Sequence, residues 1–459
     1  MSPKIPSRRD FLRKSAATGA LAASIPYVSW NQKAFANQDK NDRPRIGCIG
    51  VGSMGSGDAH AHSNFGDILA VCDVEKNHLE RAKNDPKIGK GTADAYEDYR
   101  KVLDRKDIDV VSIVTCDHWH VKIAVEALQA GKHVFCQKPL TLTLEENQLI
   151  RNACKKYPEL VFTVGTQQRD SRDKFLRAVN MVQKGLLGKI HTVTCSIGGG
   201  DVAKEDFKKE APPANLNWDM WLGQAPKVEY IKERSHYQFR WWYEYSGGKF
   251  TDWGAHHIDI ATWALGEDKE GHGPIEIDGT DAKHPVEYAH GYPTTDLRYN
   301  TAHDYVVKCK YASGVTMNVT SGGNKEADAE GPRTVGNGIL FEGEKGRIFV
   351  SRGTIKGKPI EEMWDKDMYS DDDVKALYKG KPHEGHKHNF FRCIREGGLP
   401  VSDVFTHVQA MGTCHLSAIA ARLNRVLKWD PKAEKIIGDD EAAKFVAREQ
   451  RKGYEINRV

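Results

Sequence analysis

The sequence predicts an α/β protein in two parts. The N-terminal part is a doubly wound parallel sheet, and the C-terminal part is an α/β domain on a large, mostly antiparallel open sheet. Three observations carry that expectation. Short apolar runs alternate with helical segments from Arg45 to Gly165. A glycine-rich turn, Gly50-Val51-Gly52-Ser53-Met54-Gly55, closes the first apolar run. After Gly165 the rhythm changes to longer alternating strands punctuated by hairpin turns.

The first part offers strands at Arg45–Gly50, Ile68–Asp73, Asp109–Thr115, His133–Cys136 and Val161–Gly165, with a weaker one at Thr92–Tyr96. Runs this short and apolar suit strands buried on both faces. Val121–Ala130 and Leu144–Lys156 have helical patterning, and Gly131 stands where a helix C-terminus prefers glycine. A further helix, Asp173–Lys184, ends at Gly185. The second part offers strands at Ile190–Ile197, Tyr305–Tyr311, Val315–Thr320, Gly338–Phe341 and Arg347–Val350. Ser313-Gly314 and Gly343–Gly346 read as their turns. Helices return at His388–Glu396 and His407–Leu427, and Asp371–Asp373 reads as a solvated loop.

Hydrophobic residues make up 39% and charged residues 28% of the 459, an ordinary folded composition that excludes wholesale disorder and collagen. No run of 18 apolar residues provides a membrane-spanning helix. The net charge of +4 is uneven. Residues 1–36 hold six basic groups and one acid, a net of +5, which leaves −1 for the rest. A near-neutral body gives no reason to expect nucleic acid. Ser7-Arg8-Arg9-Asp10-Phe11-Leu12-Arg13, the apolar run from Ala16 to Ile25 and Ala34-Phe35-Ala36 follow one another as an export signal does. The expectation is a twin-arginine signal at 1–36, an export machinery as partner and a periplasmic or extracytoplasmic destination. The two domains are then expected at 43–165 and 166–459, the last helices packing back on the first. Nine cysteines without a CxxC, four of them (Cys48, Cys72, Cys116, Cys136) in apolar runs, read as core residues.

The glycine turn fits GxGxxG, and Asp73 ends the second strand 18 residues after Gly55. The first glycine permits the tight turn, the second lets backbone approach a pyrophosphate, and the third lets helix and strand pack closely. The helix N-terminus supplies N–H donors to the phosphates. A carboxylate at the strand tip accepts from ribose hydroxyls. Val74 beside it favours NAD over NADP, with Lys76 keeping NADP as the alternative.

Two further segments carry a resemblance. Lys132-His133-Val134-Phe135-Cys136-Gln137-Lys138-Pro139 resembles the Glu-Lys-Pro segment of the glucose–fructose oxidoreductase / inositol dehydrogenase / MocA family. Gly247-Gly248-Lys249-Phe250-Thr251-Asp252-Trp253-Gly254-Ala255-His256-His257-Ile258-Asp259 resembles its Asp-x-x-x-His segment. Thr115-Cys116-Asp117-His118-Trp119-His120, Gly165-Thr166-Gln167-Gln168-Arg169 and Trp429-Asp430-Pro431 are similar to members with export signals. The resemblance implies a Rossmann domain and a sugar or cyclitol substrate. It places Lys138, Asp252 and His256 on catalytic positions, Asp259 on a substrate-contacting one and His120 near the nicotinamide. The departure is Gln137, where the family usually has Glu.

Oxidation of a secondary alcohol needs a proton acceptor and a group that steadies the alkoxide. His256, at an ordinary imidazole pKa, would take the proton. Asp252, four residues earlier, would share its face on a helical turn and orient it. Lys138, at the carboxyl end of the fifth strand, would hold the oxygen. Expected cofactor contacts are Gly50, Gly52, Ser53, Met54, Gly55, Asp73, Thr115, His120, Gln137 and Lys138. Expected substrate contacts are Arg169, Arg240, Asp259 and Trp241. Six of ten tryptophans fall between 218 and 263, either stacking on sugar or packing an irregular stretch. The paired histidines are spaced i, i+2, which chelates poorly on a helix, so no metal is expected.

The resulting expectation is an NAD-dependent oxidoreductase of a sugar, sugar derivative or cyclitol, with tightly bound cofactor. A redox-neutral glycoside cleavage or epimerisation is the alternative, and a non-catalytic sugar-binding protein a second. A large open sheet face also suggests a homo-oligomer.

Overall fold

The computed structural model describes residues 43–322, 336–358, 360 and 369–459. The export-signal segment, residues 1–36, lies outside them.

Six strands make the first sheet: β1 (Arg45–Ile49), β2 (Asp67–Cys72), β3 (Asp94–Tyr96), β4 (Val110–Ile113), β5 (His133–Gln137) and β6 (Phe162–Gly165). Their order is β3-β2-β1-β4-β5-β6, and every neighbouring pair is parallel. The winding reverses between β1 and β4, which opens a crevice at the carboxyl ends of the strands. Helices α1 (Ser53–His62), α2 (Lys76–Asn84), α3 (His120–Gln129) and α4 (Leu144–Lys156) connect the strands. Val110 joins one apolar cluster and Val111 another, because successive strand residues point to opposite faces. Both faces are therefore covered, which is why β4 and β5 read as continuous apolar runs. Thr143 caps α4 by accepting from the Glu146 N–H, and Glu145 and Glu146 sit favourably in its first turn.

The second sheet has nine strands: β7 (Ile190–Ser196), β8 (Pro274–Lys283), β9 (Asp304–Tyr311), β10 (Thr316–Thr320), β11 (Gly338–Gly343), β12 (Gly346–Val350), β13 (Ile355–Lys356), β14 (Val426–Asp430) and β15 (Lys435–Ile436). Their order is β13-β12-β11-β7-β10-β9-β8-β14-β15. The β7–β10 pair is parallel and the others are antiparallel. Along β9 buried Tyr305, Val307, Cys309 and Tyr311 alternate with more exposed residues, so one face meets the core. Helices cover that face: α5 (Arg177–Gln183), α6 (Lys249–Asp252), α7 (Gly254–Leu265), α8 (Asp371–Leu377) and, after α9 (His386–Glu396), α10 (Val404–Leu423). Phe390 and Phe391 of α9 reach back into the core of the first sheet, beside Ile46 and Phe135.

Three expectations need correction. The acidic run Asp371–Asp373 opens α8: Ser370 accepts from the Asp373 N–H while the Asp373 side chain accepts from the Ser370 N–H. Acids belong there because the helix start carries partial positive charge. The expected helix His407–Leu427 is Val404–Leu423. Asn424, at φ 51°, ends it in the left-handed region, and the alternating Val426–Asp430 becomes a strand. Strand β8 was not anticipated, because its polar residues (Glu276, Asp278, Thr280, Asp281) hide the alternation. All nine cysteines are free, and eight are buried.

Candidate active site

The crevice holds a cavity of about 420 Å³ between the strand ends and the segment around residues 216–240. Gly50 turns the chain at φ 79°, where an added Cβ would lie 2.4 Å from the Val114 carbonyl oxygen. At Gly55 a Cβ would lie 2.0 Å from the Gly50 oxygen, so the start of α1 presses against the turn itself. At Gly52 a Cβ would meet nothing nearer than His78 at 3.6 Å. Asp73 accepts from the Val51 N–H (2.9 Å) and the Glu75 N–H (3.0 Å), which fixes its carboxylate at the tip of β2. Its bond to His78 raises the imidazole pKa, against a smaller opposing effect of burial. Turn, helix start and fixed carboxylate together fit a dinucleotide, with pyrophosphate at the glycines and ribose at Asp73.

Gly50, Gly52, Ser53, Met54, Gly55, Asp73, Thr115, Gln137 and Lys138 all line this cavity. His120 does not. It is buried, with its two ring nitrogens against the Pro139 (2.6 Å) and Thr115 (3.1 Å) carbonyls, and burial brings its pKa down to about 4. It ties the Lys138–Pro139 turn to the end of β4 from beneath. Gln137 donates to Asp58 (2.6 Å), whose other oxygen accepts from Lys387 (2.7 Å). A glutamate at 137 would set two carboxylates against each other there, so Asp58 accounts for the departure.

At the other end of the cavity Lys138 donates to the Asp252 carboxylate (2.7 Å) and to its backbone carbonyl (3.0 Å). Lys249 stands 3.4 Å from the second carboxylate oxygen. Burial would raise the Asp252 pKa, but Lys138, Arg240 and Lys249 together hold it well below the usual carboxylate range. The chain stays right-handed helical through Trp253 (φ −90°, ψ −27°) between α6 and α7, and the Asp252 carboxylate is taken up by Lys138 and Lys249. His256 is buried just behind the cavity wall, and its Nδ1 has no hydrogen-bond partner among the described residues. Burial, then Lys138 and Arg352, push its pKa well below the ordinary imidazole value, which corrects the expectation of an unshifted histidine.

The expected substrate contacts divide. Arg240 lines the cavity, its guanidinium 3.7 Å over the Tyr237 ring. Arg169 and Asp259 do not line it. They are buried as a two-pronged ion pair (2.7 and 2.8 Å), and His407 lies 3.2 Å from the same carboxylate. Trp241 is buried too, donating to Gln238 and packing with Trp218, Trp221, Trp242 and Tyr245. Most of the tryptophans pack the irregular stretch, as one of the two sequence readings has it.

Asp117 was missed. It is a buried residue of the cavity wall that accepts from Ser246 (2.5 Å). Burial raises its pKa to about 7, with Asp252 adding to the rise and Ser246, Lys138 and Arg240 opposing it. The sequence signal is its place in the Cys116–His120 segment directly after β4, at the carboxyl end of the sheet. Glu75 was missed as well. It caps α2 by accepting from the Asn77 and His78 N–H groups and forms a bridge to Leu216, so the irregular stretch closes over the ribose end. No cluster of three or more potential metal ligands occurs among the described residues.

Comparison with known proteins agrees with this geometry. Residues 44–166 match the description "Oxidoreductase family, NAD-binding Rossmann fold", and residues 174–456 match "Oxidoreductase family, C-terminal alpha/beta domain". A "Glycosyl hydrolase family 109 protein" of Shewanella pealeana is 31% identical over 205 residues, 40% of this chain and 44% of that one. The myo-inositol 2-dehydrogenase of Thermotoga maritima is 28% identical over 228 residues, 49% of this chain and 56% of that one. The alignments therefore span about half the length of these curated relatives. The WlbA dehydrogenase of Bordetella pertussis, solved with NADH and UDP-GlcNAcA, shares the fold at a TM-score of 0.56 and 20% identity, covering 84% of this chain and 98% of that one. An NAD-binding Rossmann domain followed by a C-terminal α/β domain, matched over most of its length, makes this chain a member of the glucose–fructose oxidoreductase / inositol dehydrogenase / MocA oxidoreductase family.

Proposed function

We propose that the protein oxidises a secondary alcohol of a sugar, sugar derivative or cyclitol. NAD, when bound, supplies the hydride acceptor. The observation that carries the reading is the Lys138–Asp252 pair at one end of the cavity whose other end is the glycine turn. Lys138 holds the substrate oxygen as it gains negative charge. Asp252, kept ionised, fixes the Lys138 side chain. His256, an uncharged buried imidazole outside the cavity lining, is the base this reading assigns to the hydroxyl proton, and the cations near it favour passing that proton on.

The reading includes tight retention of the cofactor. Leu216, Met220, Trp221 and Tyr237 of the irregular stretch wall the cavity, which supports slow exchange. Retention suits the export that the twin-arginine sequence suggests, because free NAD is scarce outside the cytoplasm.

A second reading, redox-neutral cleavage of a glycoside through a transient keto sugar, has two supports. One is the name of the Shewanella relative. The other is Asp117, a cavity carboxyl whose pKa burial raises to about 7, so that a substantial part carries its proton near neutral pH and is suited to protonate a leaving oxygen.

The test is a sugar and cyclitol panel on the NAD-loaded protein, followed by the near-ultraviolet band of NADH. One-time growth of the band supports dehydrogenation. Released sugar without an electron acceptor supports the second reading. Lys138→Ala is expected to lower kcat by about 100-fold or more with the fold intact, and unchanged turnover would remove this mechanism.

A further inference from the structure

One ionised carboxylate, Asp252, stands among cations at the substrate end of the cleft, where Lys138 and Arg240 line the cavity while Lys249 and the exposed Arg352 do not. Lys138 and Lys249 approach Asp252 directly. Arg240 and Arg352 are near enough to act on its charge. Among the described residues neither arginine has a carboxylate within ion-pair distance. Arg240 lies over Tyr237, and its Nε is buried without a hydrogen-bond partner. Arg352 lies 4.5 Å over the Trp253 ring. The nearby Asp117 adds little compensation, since burial favours its neutral form.

Lys138, Lys249 and Arg240 against the one Asp252 carboxylate leave this end of the cavity with a surplus of about two positive charges. The cofactor's phosphates belong at the glycine turn, at the other end, and oxidised nicotinamide adds positive charge. A guanidinium taken partly out of water without an anion is costly, and it is the side chain best shaped to grip a planar or tetrahedral oxyanion.

We propose that the substrate is a sugar bearing an anionic group, a carboxylate or a sulfate ester, which Arg240 holds while Lys138 meets the reacting hydroxyl. This rests on the oxidoreductase reading for the hydroxyl, but the anion site is separately measurable. The NAD-loaded protein is titrated with glucose, glucuronate and glucose 6-sulfate. Tryptophan fluorescence reports binding, and the NADH band reports turnover.

One or both charged sugars are expected to bind at least about tenfold tighter than glucose, a preference that shrinks as salt rises. The charged sugar that binds identifies the group. Arg240→Gln is expected to bring the charged-to-neutral affinity ratio towards one, and Arg352→Gln, outside the lining, to leave it near the parent value. Equal affinity for all three sugars overturns the inference. So does an Arg240→Gln protein that loses NAD on gel filtration while the ratio is unchanged, because Arg240 then serves the cofactor. Preferred binding of a charged sugar with no NADH formed leaves the anion site standing and removes the oxidoreductase reading. Oxidation of neutral sugars without preference does the reverse.

Discussion

Asp117 and Asp252 are two carboxyls of one cavity with opposite fates, and the difference lies in their nearest contacts. Asp252 receives Lys138 at 2.7 Å, which overcomes burial. Asp117 receives only the Ser246 hydroxyl, which does not. A carboxyl whose folded pKa lies above its unfolded value binds more protons in the folded state. Its contribution is present at low pH and is lost as pH rises from about 4 to about 7. Ionising it in the folded protein costs on the order of 4 kcal/mol more than in the unfolded chain. Asp117→Asn should therefore be relatively more stable at pH 8 than at pH 5 when its melting is compared with the parent. A parallel pH dependence of the two proteins would show that Asp117 is not held neutral.

At the scale of an element, the glycine turn separates packing from ligand approach. Gly55 is demanded by the contact of α1 with the turn, whereas Gly52 faces comparatively open space. Gly55→Ala is expected to lower stability by about 2 kcal/mol or more, through a backbone clash that no rotamer relieves. Gly52→Ala should melt near the parent while binding NAD more weakly, since its new methyl occupies space the cofactor needs. Denaturation midpoints and NAD titration of the two variants check this, and equal stability loss in both would contradict it. The α6–α7 segment is the second decision at this scale: it brings Asp252 within 2.7 Å of Lys138 on the strand end of the other sheet.

Across the whole molecule, one buried ion pair joins the two sheets. Arg169 follows β6, Asp259 lies in α7, and Arg169 also donates to the Val401 carbonyl and to Thr406. His407 of α10 completes the cluster. Arg169→Met leaves Asp259 buried without its guanidinium and with only the His407 ring beside it, at an expected cost of about 3–5 kcal/mol. The double variant Arg169→Met, Asp259→Leu should recover much of that loss, because an apolar pair needs no compensation. Urea unfolding measures both. A single variant of parental stability but raised KM would instead return these residues to the substrate.

The sequence by itself determined the winding of the first sheet, the glycine turn, Asp73 and the Lys138–Pro139 corner. Each is a local demand: an apolar run, a steric exclusion at a turn, a strand tip. It also marked Gln137 as unusual without supplying Asp58, 79 residues away, which explains it. Tertiary structure alone decided which polar groups face the cavity and which face one another. Arg169 and Asp259 look like substrate ligands in one dimension and are each other's counter-ions in three. The burial that sets the Asp117 and His256 pKa values comes from elements distant in the chain, so no local pattern encodes it.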